Sequence, residues 1–161
     1  MSPPGDPMRE KEIQEKRIRY LSLDPAVCLQ SGISLHEVVE RMRKDHSSCV
    51  LICDGTKLIG IFTERDYLNK VLCAASIDRK RPVDDFMSVR PKTLTLDDTV
   101  GEAIKIMHEF GFRNVPLVDK EGNYSGLLQI RNIIQFLAEL YPEEVLNAPP
   151  REETFRQTDG A

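Results

Sequence analysis

The chain has 161 residues, with 26 acidic side chains against 22 basic ones and a net charge of −4. That balance gives no reason to expect a nucleic-acid partner, and no apolar run approaches the roughly 20 residues that a membrane-spanning helix needs. The start, Met1-Ser2-Pro3-Pro4-Gly5-Asp6-Pro7, lacks the apolar core of a signal peptide, so a cytoplasmic chain of one domain, or of two small repeats sharing a core, is expected.

Residues 1–7, rich in Pro and Gly, read as a tail. From Met8 a charged helix follows, with a thin apolar stripe at Ile13 and Ile18 suited to packing on the domain or on a partner chain. Ala26 to Leu29 predicts a short strand. Ser34 and Glu37 form a capping-box pattern, and Leu35, Val38, Val39 and Met42 continue it at helical spacing. Cys49 to Cys53 is a strand, Asp54-Gly55 a hairpin turn, and Leu58 to Phe62 the returning strand. Beyond Thr63, the positions Tyr67, Leu68, Val71 and Leu72 predict a second amphipathic helix. Residues 74–82 form a polar connection closed by proline.

The pattern then restarts. Thr93-Leu94-Thr95 is the strand, Thr99 and Glu102 the capping box, and Ala103, Ile104 and Met107 the helix stripe. Val115 to Val118, a turn over residues 119–122, Tyr124 to Leu128 and a helix from Ile130 to Leu140 complete the second copy. Thr99, Glu102, Met107 and Asp119 each lie 65 positions beyond Ser34, Glu37, Met42 and Asp54. Gly126 and Arg131 lie 66 beyond Gly60 and Arg65, so the second hairpin carries one extra residue. This is an internal duplication. The expected class is α+β (α/β-like): two tandem β-α-β-β-α repeats about a pseudo-twofold axis, because one repeat alone is too small to bury a good core. The divisions are 1–17 (tail and charged helix), 18–82 (first repeat with linker), 83–146 (second repeat) and 147–161 (a polar tail).

Cys28, Cys49, Cys53 and Cys73 form no Cys-x-x-Cys pair and stand beside no histidine at metal-ligand spacing, so reduced structural thiols are expected and no metal site. His36, His46 and His108 fall on helices or a helix end, where surface placement is the ordinary role. No Ser/His/Asp or Cys/His set has supporting context, and an enzyme is not expected.

Two stretches, Gly60-Ile61-Phe62-Thr63-Glu64-Arg65-Asp66 and Gly111-Phe112-Arg113-Asn114-Val115-Pro116-Leu117-Val118-Asp119, make the chain resemble a tandem pair of CBS domains (the cystathionine-β-synthase-type domain, paired as a Bateman module) over residues 18–141. The resemblance implies an adenine nucleotide (AMP, ADP or ATP, with NAD(H) or S-adenosylmethionine as variants) bound in a cleft between the repeats. It also implies a homodimer, and regulation of a protein target in trans rather than catalysis. In the family the Thr and Asp of the strand-to-helix corner meet the ribose; here these are Thr63 and Asp66, and a carboxylate accepting from two vicinal hydroxyls is a sound clamp. The same two residues also fit a plain helix cap.

Phosphate-binding cations are implied at Arg113, whose first-copy counterpart is Ser48, and at Arg131, whose counterpart is Arg65; a solvated surface charge is the bland role for each. Val27, Leu29, Ile61 and Pro116 are candidates to flank adenine, with core packing as their other role. In the second corner Gln129 replaces the hydroxyl residue and Asn132 the aspartate, so one competent site and one weak or empty one are expected. The competing expectation is a structural or protein-interaction module that has lost its ligand.

Overall fold

The computed structural model describes residues 7–142; the expected tail over 147–161, and most of that over 1–7, lie outside them. The elements alternate as the duplication requires. Helix α1 (Pro7–Glu15) leads into a 3₁₀ turn at Ile18–Tyr20. Then come β1 (Cys28–Gln30), α2 (Leu35–Lys44), β2 (Cys49–Asp54), β3 (Lys57–Thr63) and the single turn α3 (Glu64–Asp66). After a π-helical turn at Tyr67–Leu72 and a 3₁₀ turn at Val83–Asp85 follow β4 (Ser88–Val89), α4 (Val100–Phe110), β5 (Asn114–Val118), β6 (Tyr124–Gln129) and α5 (Ile130–Leu140).

Both repeat helices start on the capping boxes read from sequence. Ser34 accepts from the Glu37 N–H and Thr99 from that of Glu102, and each glutamate caps back. Their buried faces are equivalent: Leu35, Val38 and Met42 in α2, Val100, Ala103 and Met107 in α4. Gly111 ends α4 in the left-handed region, at φ 66°. At the matching place in the first repeat His46 adopts φ 50°, a conformation a non-glycine residue holds only at some cost. In both, the next residue returns a hydrogen bond to the helix: Ser47 N–H to the Met42 carbonyl and Phe112 N–H to that of Met107.

Strands run β1-β2-β3-β4 in one sheet, with β1 parallel to β2 and the rest antiparallel, and β5-β6 in the other. β2 is buried along Cys49 to Cys53 because both its faces are covered. Val50 and Ile52 point into a core with α2 and Phe62, whereas Cys49 and Leu51 meet Ile61 and Leu127 between the two sheets. Each of Val50, Leu51 and Ile52 contributes roughly 1.5–3 kcal/mol by leaving water. The repeats thus pack sheet to sheet.

The lead-in segments are exchanged. Ile18 and Leu21, which precede the first repeat, are buried with Val100, Met107, Leu117 and Phe136 of the second. Val83 and Phe86, which precede the second, are buried with Leu35, Ile52 and Phe62 of the first. The backbone shows the same symmetry: Arg17 bridges Thr99 as Pro82 bridges Ser34. Helix α1 packs on α4, where the Gln14 backbone comes so close to Gly101 that a Cβ there would lie 3.0 Å from its carbonyl.

Four local expectations change. The stretch Thr93-Leu94-Thr95 makes only one parallel bridge, Leu94 to Leu117, because the chain leaves the sheet at Leu96 to bond the backbone of Arg19. The first hairpin turns at Gly55-Thr56, with Asp54 still paired to Lys57. The helix expected after Thr63 is one α-turn followed by a π-turn, which buries Val71 but leaves Leu68 and Leu72 exposed. Strand β4 was not anticipated; it is too short to carry a periodic signal. The extra residue of the second hairpin is visible: Cys53 pairs with Leu58 across four residues, Val118 with Tyr124 across five.

Candidate functional site

Between the repeats lies a cleft of about 460 Å³. The first repeat gives it Ser48, Ile61 and the corner Thr63-Glu64-Arg65-Asp66; the linker gives Ser88, Pro91 and Lys92; the second repeat gives Gly111 to Asn114 and Pro116. The corner is built by β3 ending at Thr63, whose side chain caps the following turn by accepting from the Asp66 N–H at 3.2 Å. In return Asp66 Oδ2 accepts from the Thr63 N–H at 3.0 Å and its hydroxyl at 2.9 Å. The cap is therefore real, and it presents the same carboxylate to the cleft.

Only two polar residues are buried among those described: Asp66, 7% exposed, and its second-copy counterpart Asn132, 2% exposed. Asp66 Oδ1 accepts from the Ser88 hydroxyl at 2.9 Å and meets Lys70 Nζ at 2.7 Å. Burial pushes the carboxyl up, but the hydrogen bonds from Lys70, Thr63 and Ser88 outweigh it and hold the group below the ordinary aspartate value. The cleft thus contains a fixed anion with hydroxyl groups around it.

Three cations line the cleft with it, Arg65, Lys92 and Arg113. None of them has an acidic partner among the described residues; Lys92 rests over the Phe110 ring at 5.2 Å, and Phe110 stacks on Phe112 at the rim. Against them stands one further acid, Glu64. An electropositive cleft in a chain of net charge −4 favours an anionic ligand.

Of the side chains singled out from sequence, Thr63, Asp66, Arg113, Ile61 and Pro116 meet in this cleft. Val27 and Leu29 do not: both pack against the first repeat's core beneath α2. Arg131 is at the other corner, where its Nε donates to Asp24 Oδ2 at 2.9 Å. Asp24 also accepts from Asn132 Nδ2 at 3.0 Å, and the second Asn132 contact is the Ser22 carbonyl. Asn132 Oδ1 takes the Gln129 N–H at 2.8 Å, while Gln129 Oε1 is buried without a partner. The second corner is thus occupied by the chain's own groups, with Asp24 filling the cationic residue's anion need.

Ser88, Pro91 and Lys92 were not foreseen, because linker residues reach the cleft through the exchanged topology rather than through any local pattern; Phe112 joins the cleft from the second repeat, beside Arg113. Lys70 carried one legible signal, its i,i+4 spacing from Asp66. All three histidines are exposed, and no cluster of three metal-ligating side chains occurs among the described residues. No described helix is long and apolar enough to cross a membrane.

A family model for the CBS domain matches residues 18–72 and again residues 83–139. An uncharacterized 17.7 kDa protein from the bps2 3' region of Acidianus ambivalens is 25% identical over 126 residues, covering 78% of this chain and 75% of that one. CBS domain-containing protein CBSCBSPB1 of Arabidopsis thaliana is 31% identical over 96 residues, which are 60% of this chain but 18% of the larger protein. Among solved structures, the CBS domain protein PAE2072 from Pyrobaculum aerophilum, complexed with AMP, is similar with a TM-score of 0.66 at 25% identity, over 76% of this chain and 98% of that one.

Proposed function

Because this chain belongs to the CBS-domain family, as a tandem pair of its domains, we propose that it is a regulatory module binding an adenine nucleotide in the cleft between its repeats. The observation that carries the reading is the composite cleft: a fixed carboxylate, Asp66, from one repeat faces Arg113 from the other, with Lys92 between them in sequence. Asp66 would accept from the ribose hydroxyls after exchanging Ser88, while Arg113 and Lys92 take the phosphate and Ile61 and Pro116 flank the base. The AMP bound by the Pyrobaculum relative supports AMP as the first ligand to test, ahead of ADP, ATP, NAD(H) or S-adenosylmethionine. Regulation would act on a protein target in trans, through a homodimer, by differential affinity for two arrangements. A cytoplasmic setting suits the four free thiols.

Calorimetric titration of nucleotide-stripped protein tests this. Wild type should saturate with one AMP per chain. Arg113→Ala, at an exposed position, should bind AMP about tenfold or more weakly while its affinity for adenosine is unchanged, as expected for the loss of a charged hydrogen bond. Failure of AMP, ADP and ATP alike to saturate would overturn the proposal. It would favour the second reading, an interaction module without ligand, which Asn132, held on three sides by the chain's own groups, already fits.

A further inference from the structure

Lys70 sits where the second repeat has Phe136, 66 positions on, and that phenylalanine is buried in the second core. In the first repeat Val71 fills the core instead, and the π-turn that carries both residues frees Lys70 to stand over Asp66. A π-turn holds one more residue than an α-turn, so the positions after it are shifted around the helix, and such turns recur at functional positions. Lys70 Nζ lies 2.7 Å from Asp66 Oδ1, donates to the Phe86 carbonyl at 2.8 Å and lies 3.5 Å from the Ser88 hydroxyl. It does not line the cleft. Asp66 is thus gripped from behind by a cation that also fastens the linker strand, while its other side looks into the cleft.

We propose that Lys70 is a positioning residue for the ligand: it holds the Asp66 carboxylate, as an anion, at the cleft wall and ties it to the strand that brings Ser88 there. The proposal rests on the nucleotide-binding reading above. A carboxylate already oriented and compensated on its far side can exchange the Ser88 hydroxyl for a ribose hydroxyl without itself having to reorganise, which is where pre-organisation gains affinity. The other charges around it are Glu64 and Arg65 of the same corner, Lys92 of the linker and Arg113 of the second repeat. All of these stay in place when Lys70 is changed, so any altered pH response belongs to the Lys70–Asp66 pair.

The test is calorimetric titration of the full chain with AMP, from about pH 5.5 to about pH 8, for wild type, Lys70→Met and Lys70→Arg. Lys70→Met should bind about tenfold more weakly at neutral pH. The ratio of wild-type to variant affinity should widen further below about pH 6, because a carboxyl without its cation takes up a proton at higher pH. Using the ratio cancels the titration of the nucleotide's own phosphate, which falls near pH 6. Lys70→Arg should restore both affinity and profile.

Failure of wild type to saturate with AMP, and with ADP and ATP in its place, overturns the nucleotide reading and this inference with it. Saturation by wild type, with Lys70→Met equal to it at every pH, overturns this inference alone. A uniform loss at all pH values that arginine fails to rescue marks a merely structural lysine and overturns it too. Should Lys70→Met not fold, Lys70→Gln, which keeps a donor for the Phe86 carbonyl, goes through the same titrations.

Discussion

Gly60 opens the corner motif, yet it is absent from the glycines with positive φ, so its backbone makes no special demand. What requires glycine is contact. A Cβ at residue 60 would lie 2.3 Å from Met87 Sδ and 3.0 Å from its Cγ and Cε, where 3.5–4.0 Å is the ordinary separation. Gly60→Ala must therefore drive the sulfur back by an ångström or more. Met87 has three rotatable bonds, which makes retreat feasible, but it is packed on the first repeat's core and such overpacking costs about 1–3 kcal/mol. Against this, alanine recovers about 0.4–1 kcal/mol by restricting the unfolded chain.

The expected net loss is about 0.5–2 kcal/mol. In a Met87→Ala background the same change should become neutral or stabilising by up to about 1 kcal/mol. Urea unfolding of the four proteins, followed by circular dichroism, gives the coupling directly. A Gly60→Ala penalty of equal size in both backgrounds would refute the contact argument and return the glycine to a backbone role. Because Val89 pairs with Gly60, the cycle also reports how tightly the linker strand is seated beside the cleft.

Two further outcomes follow from the titrating groups. The Asp66 carboxyl is held below its ordinary value in the fold, so its contribution to stability is complete above the unfolded value near 3.9 and is lost as pH falls through the folded one. Asp66→Asn should accordingly flatten the acid limb of a stability-against-pH curve below about pH 4; an unchanged limb would show that the carboxylate is not gripped as described. Burial pushes the Cys28 and Cys49 thiols up to about 12, and Cys53 is buried, whereas Cys73 is exposed. Alkylation of the native protein at about pH 8 should modify one thiol rapidly, identified as Cys73 by peptide mapping; fast modification of a second would contradict the packing between the sheets.

The duplication, both capping boxes and both helix stripes were readable because they are local and doubled: Ser34 and Glu37 declare a helix start, and Thr99 and Glu102 declare it again. Thr63, Asp66 and Arg113 were readable as a resemblance, and the cleft does gather them. Val27 and Leu29 were misplaced because apolar residues on β1 suit a core and a ligand wall equally, and nothing in their spacing decides between the two. Arg131 was ambiguous in another way: its fate depends on Asp24, 107 residues earlier, and long-range pairing leaves no local trace. The π-turn was hidden because Tyr67, Leu68, Val71 and Leu72 read as an ordinary helix; in the structure it buries Val71 while Lys70 meets Asp66.

The exchange of lead-in segments changes what a repeat is. A chain cut between residues 74 and 82 would yield pieces that each carry the other's plug: Ile18 and Leu21 on the wrong half, Val83 and Phe86 on the wrong half. Neither half is a unit of folding, although each is a unit of sequence. The two are therefore expected to melt together, as a single cooperative transition in calorimetry. A lone repeat built this way could close its core only by borrowing the segment from a second copy of itself, so the tandem chain does within one polypeptide what two separate copies would otherwise have to do by embracing.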